Sequence, residues 1–514
     1  MPAAADTKAP PRDHVRETLE TLVFVVVLVL ILQLFVLEAF VIPTGSMAET
    51  QLGYHKDVVC EKCKFAFPVN ASREAEGKLD PDDRFTPYTC PNCQYLGQVP
   101  RGGITSGDRV LVHKAMGPDE RGRVMVFKFP VAPQHKQQAQ NYIKRCVGYG
   151  GETIAIGHGD LYVTKALTYP DRPRPEDERD IWLTDYTYKQ DPEALALFED
   201  GKAKGFPANV GGFELYRKSD LLAMEMRRIV FDNDFQPADL GKPRWGARPG
   251  DENKWTVDAK DAPKVFTHQG DSVGWIGYRH LSKLRNGNTD PQEIKNTMGY
   301  NNVENAGIDD YFWVGDLMLE CTAKLDPADE LTMELSKGEH RYQAVFTNGT
   351  VTLVRVGAGN WAPVRRPTPI TKAGTYQLRF ANFDSRLRVW VNGTAIDFNG
   401  ENDYPPTKTD DKPTPANDLQ APAGVAAKGA VEVSGLRLWR DTYYTPNSSS
   451  LGQASADIVE TYYIHPGHYL CLGDNSAQSA DSRRWGVVPE RLMIGRAVFT
   501  FWPAYPKFRI GVIR

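Results

Sequence analysis

Pro43-Thr44-Gly45-Ser46-Met47 begins just after an apolar run that ends near Ile42, and about a hundred residues later stands Tyr142-Ile143-Lys144-Arg145. A serine at the foot of an apolar segment, with a distant lysine embedded in β-type sequence, suggests a nucleophile paired with an amine base. A serine hydroxyl is a poor nucleophile until a base takes its proton. Lysine can do this only when neutral, and at its usual pKa of about 10.4 roughly one molecule in a thousand is neutral near pH 7.5. Apolar surroundings remove solvation from the ammonium and bring the pKa down. Tyr142, Ile143, Cys146 and Val147 supply such surroundings, and strand alternation puts Tyr142 and Cys146 on the lysine's side.

The apolar run itself, Thr21 to Leu37, is uncharged throughout; Glu38 interrupts it and Ala39 to Ile42 continue it. This predicts one transmembrane anchor over 21–42 behind a cytoplasmic tail, 1–20. Lys8, Arg12 and Arg16 precede the run, which keeps the N-terminus in the cytoplasm. Everything after it is expected outside. A cleaved secretory signal is the competing reading, but no small-x-small site follows the run. The net charge of −4 gives no sign of nucleic-acid binding.

A third block stands near the C-terminus: Gly473-Asp474-Asn475, then Ser479-Ala480-Asp481-Ser482-Arg483. In order and local spacing the three blocks resemble the bacterial type I signal peptidases. The resemblance implies a mainly β catalytic domain and a membrane-bound serine endopeptidase that removes signal peptides after a small-x-small motif. It makes Ser46 the nucleophile and Lys144 the base. It gives the Ser46 amide and the Thr44 hydroxyl the oxyanion hole. Ser479 falls where the family has a serine bonded to the lysine amine. Asp481 and Arg483 match a supporting ion pair, Gly473 and Asp474 a wall-forming turn, and Arg145 a structural position. Ile42 and Met47 match residues that shape the pocket before the cut. The implied partners are exported precursors and the lipid bilayer, and the implied location is the bacterial cytoplasmic membrane, single-pass, with catalysis on the outer side. Catalysis in the family needs no cofactor. Three positions depart from the family pattern: Glu49 replaces a usual proline, Gly148 to Glu152 replace Gly-Leu-Pro-Gly-Asp, and Arg123 replaces a common aspartate. They bear on substrate preference and loop geometry. No Gly-x-Ser-x-Gly elbow surrounds Ser46 and no nearby Ser-x-x-Lys competes.

The family-like sequence comes in pieces, 43–52, 104–164 and 456–514, and two insertions separate them. The first, 53–103, carries Cys60-x-x-Cys63 and Cys90-x-x-Cys93, which read as a zinc-ribbon-like unit with four thiolates around one structural zinc. Two disulfides across the knuckles are the alternative. Cys146, Cys321 and Cys471 read as core residues. The second insertion, 165–455, repeats short strand patterns over 317–324, 341–346, 350–356, 375–383, 386–391 and 431–439. Asn348-Gly349 and Asn392-Gly393 are hairpin signals. An antiparallel β-sandwich is expected, and Arg388 to Gly393 with Gly435 to Trp439 resemble laminin-G or concanavalin-like lectin sandwiches. Residues 400–428 read as a long loop. The insertion holds eight of the ten tryptophans. Most read as core, though exposed aromatics can stack on a glycan or peptide. A surface-facing binding module for glycan or protein on a peptidase scaffold is therefore the alternative function. As a self-contained unit, this insertion is expected to be dispensable for hydrolysis of a small peptide.

Overall fold

The computed structural model describes residues 14–79, 84–129, 140–170, 188–207, 211–237, 240–283, 289–301, 312–357, 361–446, 458–503 and 509–514. Lys8, Arg12 and the expected boundary at 455–456 lie outside the described residues. The chain is mainly β.

The sheet that carries the lysine is antiparallel. Its strands run in the order Leu37–Val41, Arg109–His113, Met493–Trp502, Val124–Phe129, Gln140–Tyr149, His468–Leu472 and Val488–Pro489, with Gly511–Val512 added beside Met493–Trp502. The sheet thus joins the end of the apolar run to the second and third family-like pieces, which are separated by hundreds of residues in sequence. A smaller sheet, Glu214–Leu215, Asp160–Thr164, Thr153–Gly157 and Glu460–Tyr463, continues it.

The apolar run does not form one helix to Ile42. An α-helix covers His14–Ile31, a π-helical turn covers Leu32–Val36, and Leu37–Val41 is already a strand. That strand pairs along its whole length with Arg109–His113, and Glu38 meets Lys114 at 2.8 Å. Ladder hydrogen bonds and this ion pair take the last residues of the run into the sheet. Among the described residues no helix is long and apolar enough to cross a membrane. The α-helix nevertheless buries none of its residues, and Leu22 to Leu32 each expose between 40% and 66% of their surface.

The 165–455 segment builds two further antiparallel sheets. One is ordered Trp255–Val257, Val265–His268, Val431–Arg440, Leu317–Leu325, Gly374–Phe383, Arg386–Val391 and Thr394–Ala395, with Arg228–Asp232 also on Val431–Arg440. The other is ordered Trp245–Ala247, Gly274–Tyr278, Ala423–Lys428, Glu330–Lys337, His340–Thr347, Thr350–Val356 and Val364–Pro367. Both contribute to one apolar core, with Phe231, Leu319, Phe380 and Leu438 from the first sheet and Trp245, Tyr278, Leu335 and Tyr342 from the second. Trp245, Trp255 and Trp390 are buried, as core residues should be. Asn348 and Gly349 turn with φ of 50° and 68°, and Asn392 and Gly393 with 50° and 81°. Both pairs suit the two-residue turns whose twist matches that of the strands they join.

The expected loop at 400–428 is a loop only in its first part. Ala423–Lys428 is a strand between Gly274–Tyr278 and Glu330–Lys337. Alanine and glycine carry little β preference, and it is burial between two neighbours that makes Ala-Gly-Val-Ala-Ala-Lys a strand.

Candidate active site

Lys144 sits inside the strand Gln140–Tyr149, directly opposite Met125. Its face carries an apolar cluster of Met125, Phe127, Cys146, Cys471 and Trp485, with Tyr142 packed against it. The side chain is buried, and its Nζ lies 5.4 Å from the centre of the Tyr142 ring. Ser46 lies in the 3-10 turn Gly45–Met47 and is also buried. Ninety-eight residues apart, the two meet: Lys144 Nζ is 2.6 Å from Ser46 Oγ and 2.9 Å from the Ile143 carbonyl oxygen. Among the described residues no carboxylate lies within ion-pair distance of the amine.

Loss of solvation is the largest influence on Lys144 and brings its pKa down to about 8; the charges of Asp481, Cys471 and Asp474 pull the other way. At pH 7 about a tenth of such amines are neutral, against fewer than one in a thousand for an exposed lysine. Neutral amine is the basic form, so turnover should rise about tenfold per pH unit below pH 8 and level off above it. A kcat–pH profile on a peptide substrate checks this. A profile flat from pH 6 to 9 would show that Lys144 is not the base.

A hydrogen-bonded frame holds the serine turn. Asn475 donates its backbone N–H to the Ser46 carbonyl at 3.1 Å and its side-chain amide to the Gly45 carbonyl at 3.0 Å. Asp474 forms a two-point ion pair with Arg145, at 2.8 and 2.6 Å, with both partners buried. Thr50 bridges that pair to the turn, its hydroxyl lying within hydrogen-bond distance of both the Asp474 carboxylate and the Met47 carbonyl, with one proton to give to either. Arg145 raises the cost of neutralising Asp474, and its carboxyl titrates below the usual range despite complete burial. Arg483 binds Asp481 through Nε at 2.9 Å and Nη2 at 2.6 Å, and Asp481 accepts from the Gly473 amide at 2.9 Å. Asp481 and Arg483 thus pair with each other, and Gly473 joins them through its amide.

Ser479 differs from expectation. Its Oγ is buried without a hydrogen-bond partner among the described residues, so it does not reach the lysine amine. It points towards Gly473 instead, where an added Cβ would lie 2.1 Å from that oxygen. Thr44 is exposed and extended, with φ −116° and ψ 157°. Ile42 and Met47 are buried together in a cluster with Ile143, Val110 and Val126.

The four paired cysteines also converge. Cys60 and Cys93 bring their sulfurs to 3.6 Å, as do Cys63 and Cys90, and all four lie within 4.8 Å of one another. A disulfide needs about 2.05 Å. Four thiolates about 2.3 Å from a tetrahedral zinc are separated by about 3.8 Å. The donor set and its spacing therefore fit a metal better than bridges.

The sequence profile of the family described as signal peptidase, peptidase S26, matches residues 89–204 and 386–502. The likeness is to signal peptidases. Signal peptidase IB of Staphylococcus aureus is 28% identical over 115 residues, which cover 22% of this chain and 51% of that protein. Probable thylakoidal processing peptidase 2, chloroplastic, of Arabidopsis thaliana is 42% identical over 45 residues, 9% of this chain and 12% of the relative. The chain spans about half the length, or less, of these curated relatives. These similarities support the signal peptidase family and a serine peptidase hydrolase. Lys144 and the Gly473–Arg483 block lie within the matched stretches, whereas Ser46 precedes them. Among solved structures, the carbohydrate binding module CBM66 from Bacillus subtilis aligns with 38% of this chain and 94% of its own at 10% identity and a TM-score of 0.23.

Proposed function

We propose that this chain is a membrane-anchored serine endopeptidase that cuts signal peptides from exported precursors after a small-x-small motif. The observation that carries the reading is the buried, solvent-stripped Lys144 amine hydrogen-bonded to Ser46 Oγ. In this mechanism Lys144 takes the hydroxyl proton as Oγ attacks the scissile carbonyl, and the Thr44 hydroxyl and Ser46 N–H face the oxyanion. The lysine then passes the proton to the leaving amine, which frees an acyl-serine. Water, deprotonated by the same amine, hydrolyses the acyl group and restores Ser46. Asp481, Arg483, Gly473, Asp474 and Arg145 keep the wall behind the lysine rigid.

The helix that begins at His14 supplies the anchor in this reading. An apolar helix that, among the described residues, leaves every residue from Leu22 to Leu32 exposed has hydrocarbon as its natural solvent. The N-terminus is then cytoplasmic and the catalytic sheet outside. The chain divides into a discontinuous catalytic unit (43–52, 104–164 and 456–514), a four-cysteine unit holding structural zinc (53–103), and an inserted β-sandwich (165–455).

Packed Ile42 and Met47 leave room only for a small residue before the cut. Purified chain in detergent should cleave a precursor whose signal ends in Ala-x-Ala. Changing that final alanine to phenylalanine should lower kcat/KM by about 100-fold or more, because the pocket works by excluding bulk. Equal cleavage of both precursors would overturn the small-residue specificity, and no cleavage of either would overturn the peptidase reading.

A further inference from the structure

Resting on the peptidase reading, we propose that Tyr300 and Asn301, carried by the 165–455 segment, are positioning residues for the Ser46 turn. Neither belongs to the three family-like blocks, and both are buried against them.

Asn301 and Asn475 face each other through their side-chain amides. Asn301 Nδ2 donates to Asn475 Oδ1 at 2.9 Å, and Asn475 Nδ2 donates to Asn301 Oδ1 at 2.7 Å. The same Asn475 Nδ2 donates to the Gly45 carbonyl, and the Asn475 backbone N–H to the Ser46 carbonyl. A lone asparagine can turn its amide over at small cost. Here the Gly45 carbonyl, which can only accept, selects the nitrogen end, and the reciprocal pair with Asn301 holds the amide in that plane. Turned over, Asn475 would set its carbonyl oxygen against the Gly45 carbonyl oxygen, two acceptors with no proton between them. Asn301 therefore acts through Asn475 on the backbone either side of the nucleophile.

Tyr300 works by contact. Its ring fills the space where Gly45 lacks a side chain: a Cβ on Gly45 would lie 2.2 Å from Tyr300 Cε1. Tyr300 also forms a small apolar cluster with Ala48 and Leu52, which follow the nucleophile. Its backbone oxygen accepts from the Asn70 amide at 2.8 Å. The ring is thus clamped on the turn from one side while Asn475 holds it from the other. Positional error at a nucleophile is expensive, since catalysis by orientation falls steeply with small displacements.

The test uses the full chain and a peptide ending its signal part in Ala-x-Ala. Asn301→Leu keeps shape and removes both amide bonds. It should lower kcat by about 10-fold or more with KM within about threefold. Asn301→Asp sets a buried carboxylate oxygen against Asn475 Oδ1 where the donor stood, so its kcat should fall at least as far as in Asn301→Leu. The midpoint of the kcat–pH profile should stay in place in Asn301→Leu, because that change adds no charge and Asn301 does not touch Lys144. Hydrogen exchange of the Asn475 backbone amide reads the same support without substrate, and Asn301→Leu should speed it at least tenfold. Wild-type kcat together with wild-type exchange in Asn301→Leu would overturn the proposal and leave the peptidase reading standing. Should wild-type chain not cleave at all, the peptidase reading fails, and the exchange rate alone decides whether Asn301 holds the turn. If Asn301→Leu is poorly folded by circular dichroism, the ordering of Asn301→Asp against wild type in kcat and exchange decides instead.

Discussion

Ser46→Ala and Lys144→Met are each expected to lower kcat for an Ala-x-Ala precursor by about 10⁴-fold or more, and the double variant should be no worse than either. The two side chains share one proton across 2.6 Å, so removing either leaves the other without a role. Full activity in either single variant would sink the dyad. Lys144→Met adds a second, opposite effect. The folded pKa of about 8 lies below the unfolded value near 10.4, so the unfolded chain holds more protons between the two. Stability from this residue therefore rises with pH across that window, and below pH 8 burial of the amine carries its full cost, about 3 kcal/mol. Methionine removes that cost. At pH 7 the inactive variant should need more urea to unfold its catalytic sheet than wild type, and at pH 10.5 the gap should close. A less stable Lys144→Met at pH 7 would mean that the amine is better solvated than its burial implies.

Much of the site was legible because its chemistry is written in short blocks. Ser46, Lys144 and the Asp481–Arg483 pair come together as the blocks imply. Strand alternation puts Tyr142 and Cys146 on the lysine's side. What the blocks do not encode is register between distant segments. The hydroxyl of Ser479 points to Gly473 and has no hydrogen-bond partner among the described residues. The partner of Asp474 was hidden for the same reason: Arg145 is 329 residues away, and only the adjacent pairing of their strands joins them. Hydropathy alone could not show that the apolar run ends as a strand, since valine, leucine and phenylalanine serve both forms. The ladder with Arg109–His113 along its whole length decides it. Tyr300 and Asn301 carry no motif at all. Gly299-Tyr300-Asn301 reads as an ordinary turn, and nothing local marks the buried surface that awaits it. Their contacts with Gly45 and Asn475 run against the expectation that the large insertion is dispensable for peptide hydrolysis.

Metal removal should reach further than the four cysteines. In our reading the purified chain carries about one zinc per molecule, and Cys63→Ser, or a strong chelator, removes it. The thiol cluster sits between two hairpins, His55–Val59 with Ala66–Asn70 and Phe85–Thr89 with Leu96–Pro100, whose small apolar cluster is Val58, Phe67, Val69 and Tyr88 around the four cysteines. Isolated two-stranded hairpins are marginal in water. In small zinc peptides the ion contributes on the order of 10 kcal/mol to folding. Local unfolding of the unit is thus the expected outcome. The second knuckle is also where this unit meets the rest of the chain. Asn92 donates to Cys63 Sγ at 3.6 Å and to the Phe235 carbonyl at 2.6 Å, and accepts from the Asp232 amide at 2.6 Å. Arg244, buried, donates to the Asn92 carbonyl at 2.6 Å. Beside it, Pro91 packs on Gly299 so closely that a Cβ there would lie 2.5 Å from Pro91 Cδ. The next residue is Tyr300, whose ring rests on Gly45. Sequence alone suggests that chelation would loosen the cysteine unit and spare the dyad. This run of contacts argues that the nucleophile turn loses its brace as the knuckle opens. Metal-depleted chain should therefore lose kcat on a small peptide by about 10-fold or more, with recovery when zinc is restored. Zinc content, thiol titration and peptide turnover on one preparation separate the outcomes. No zinc and no titratable thiols among the four would establish disulfides, and zinc loss with unchanged turnover would uncouple the knuckle from Ser46.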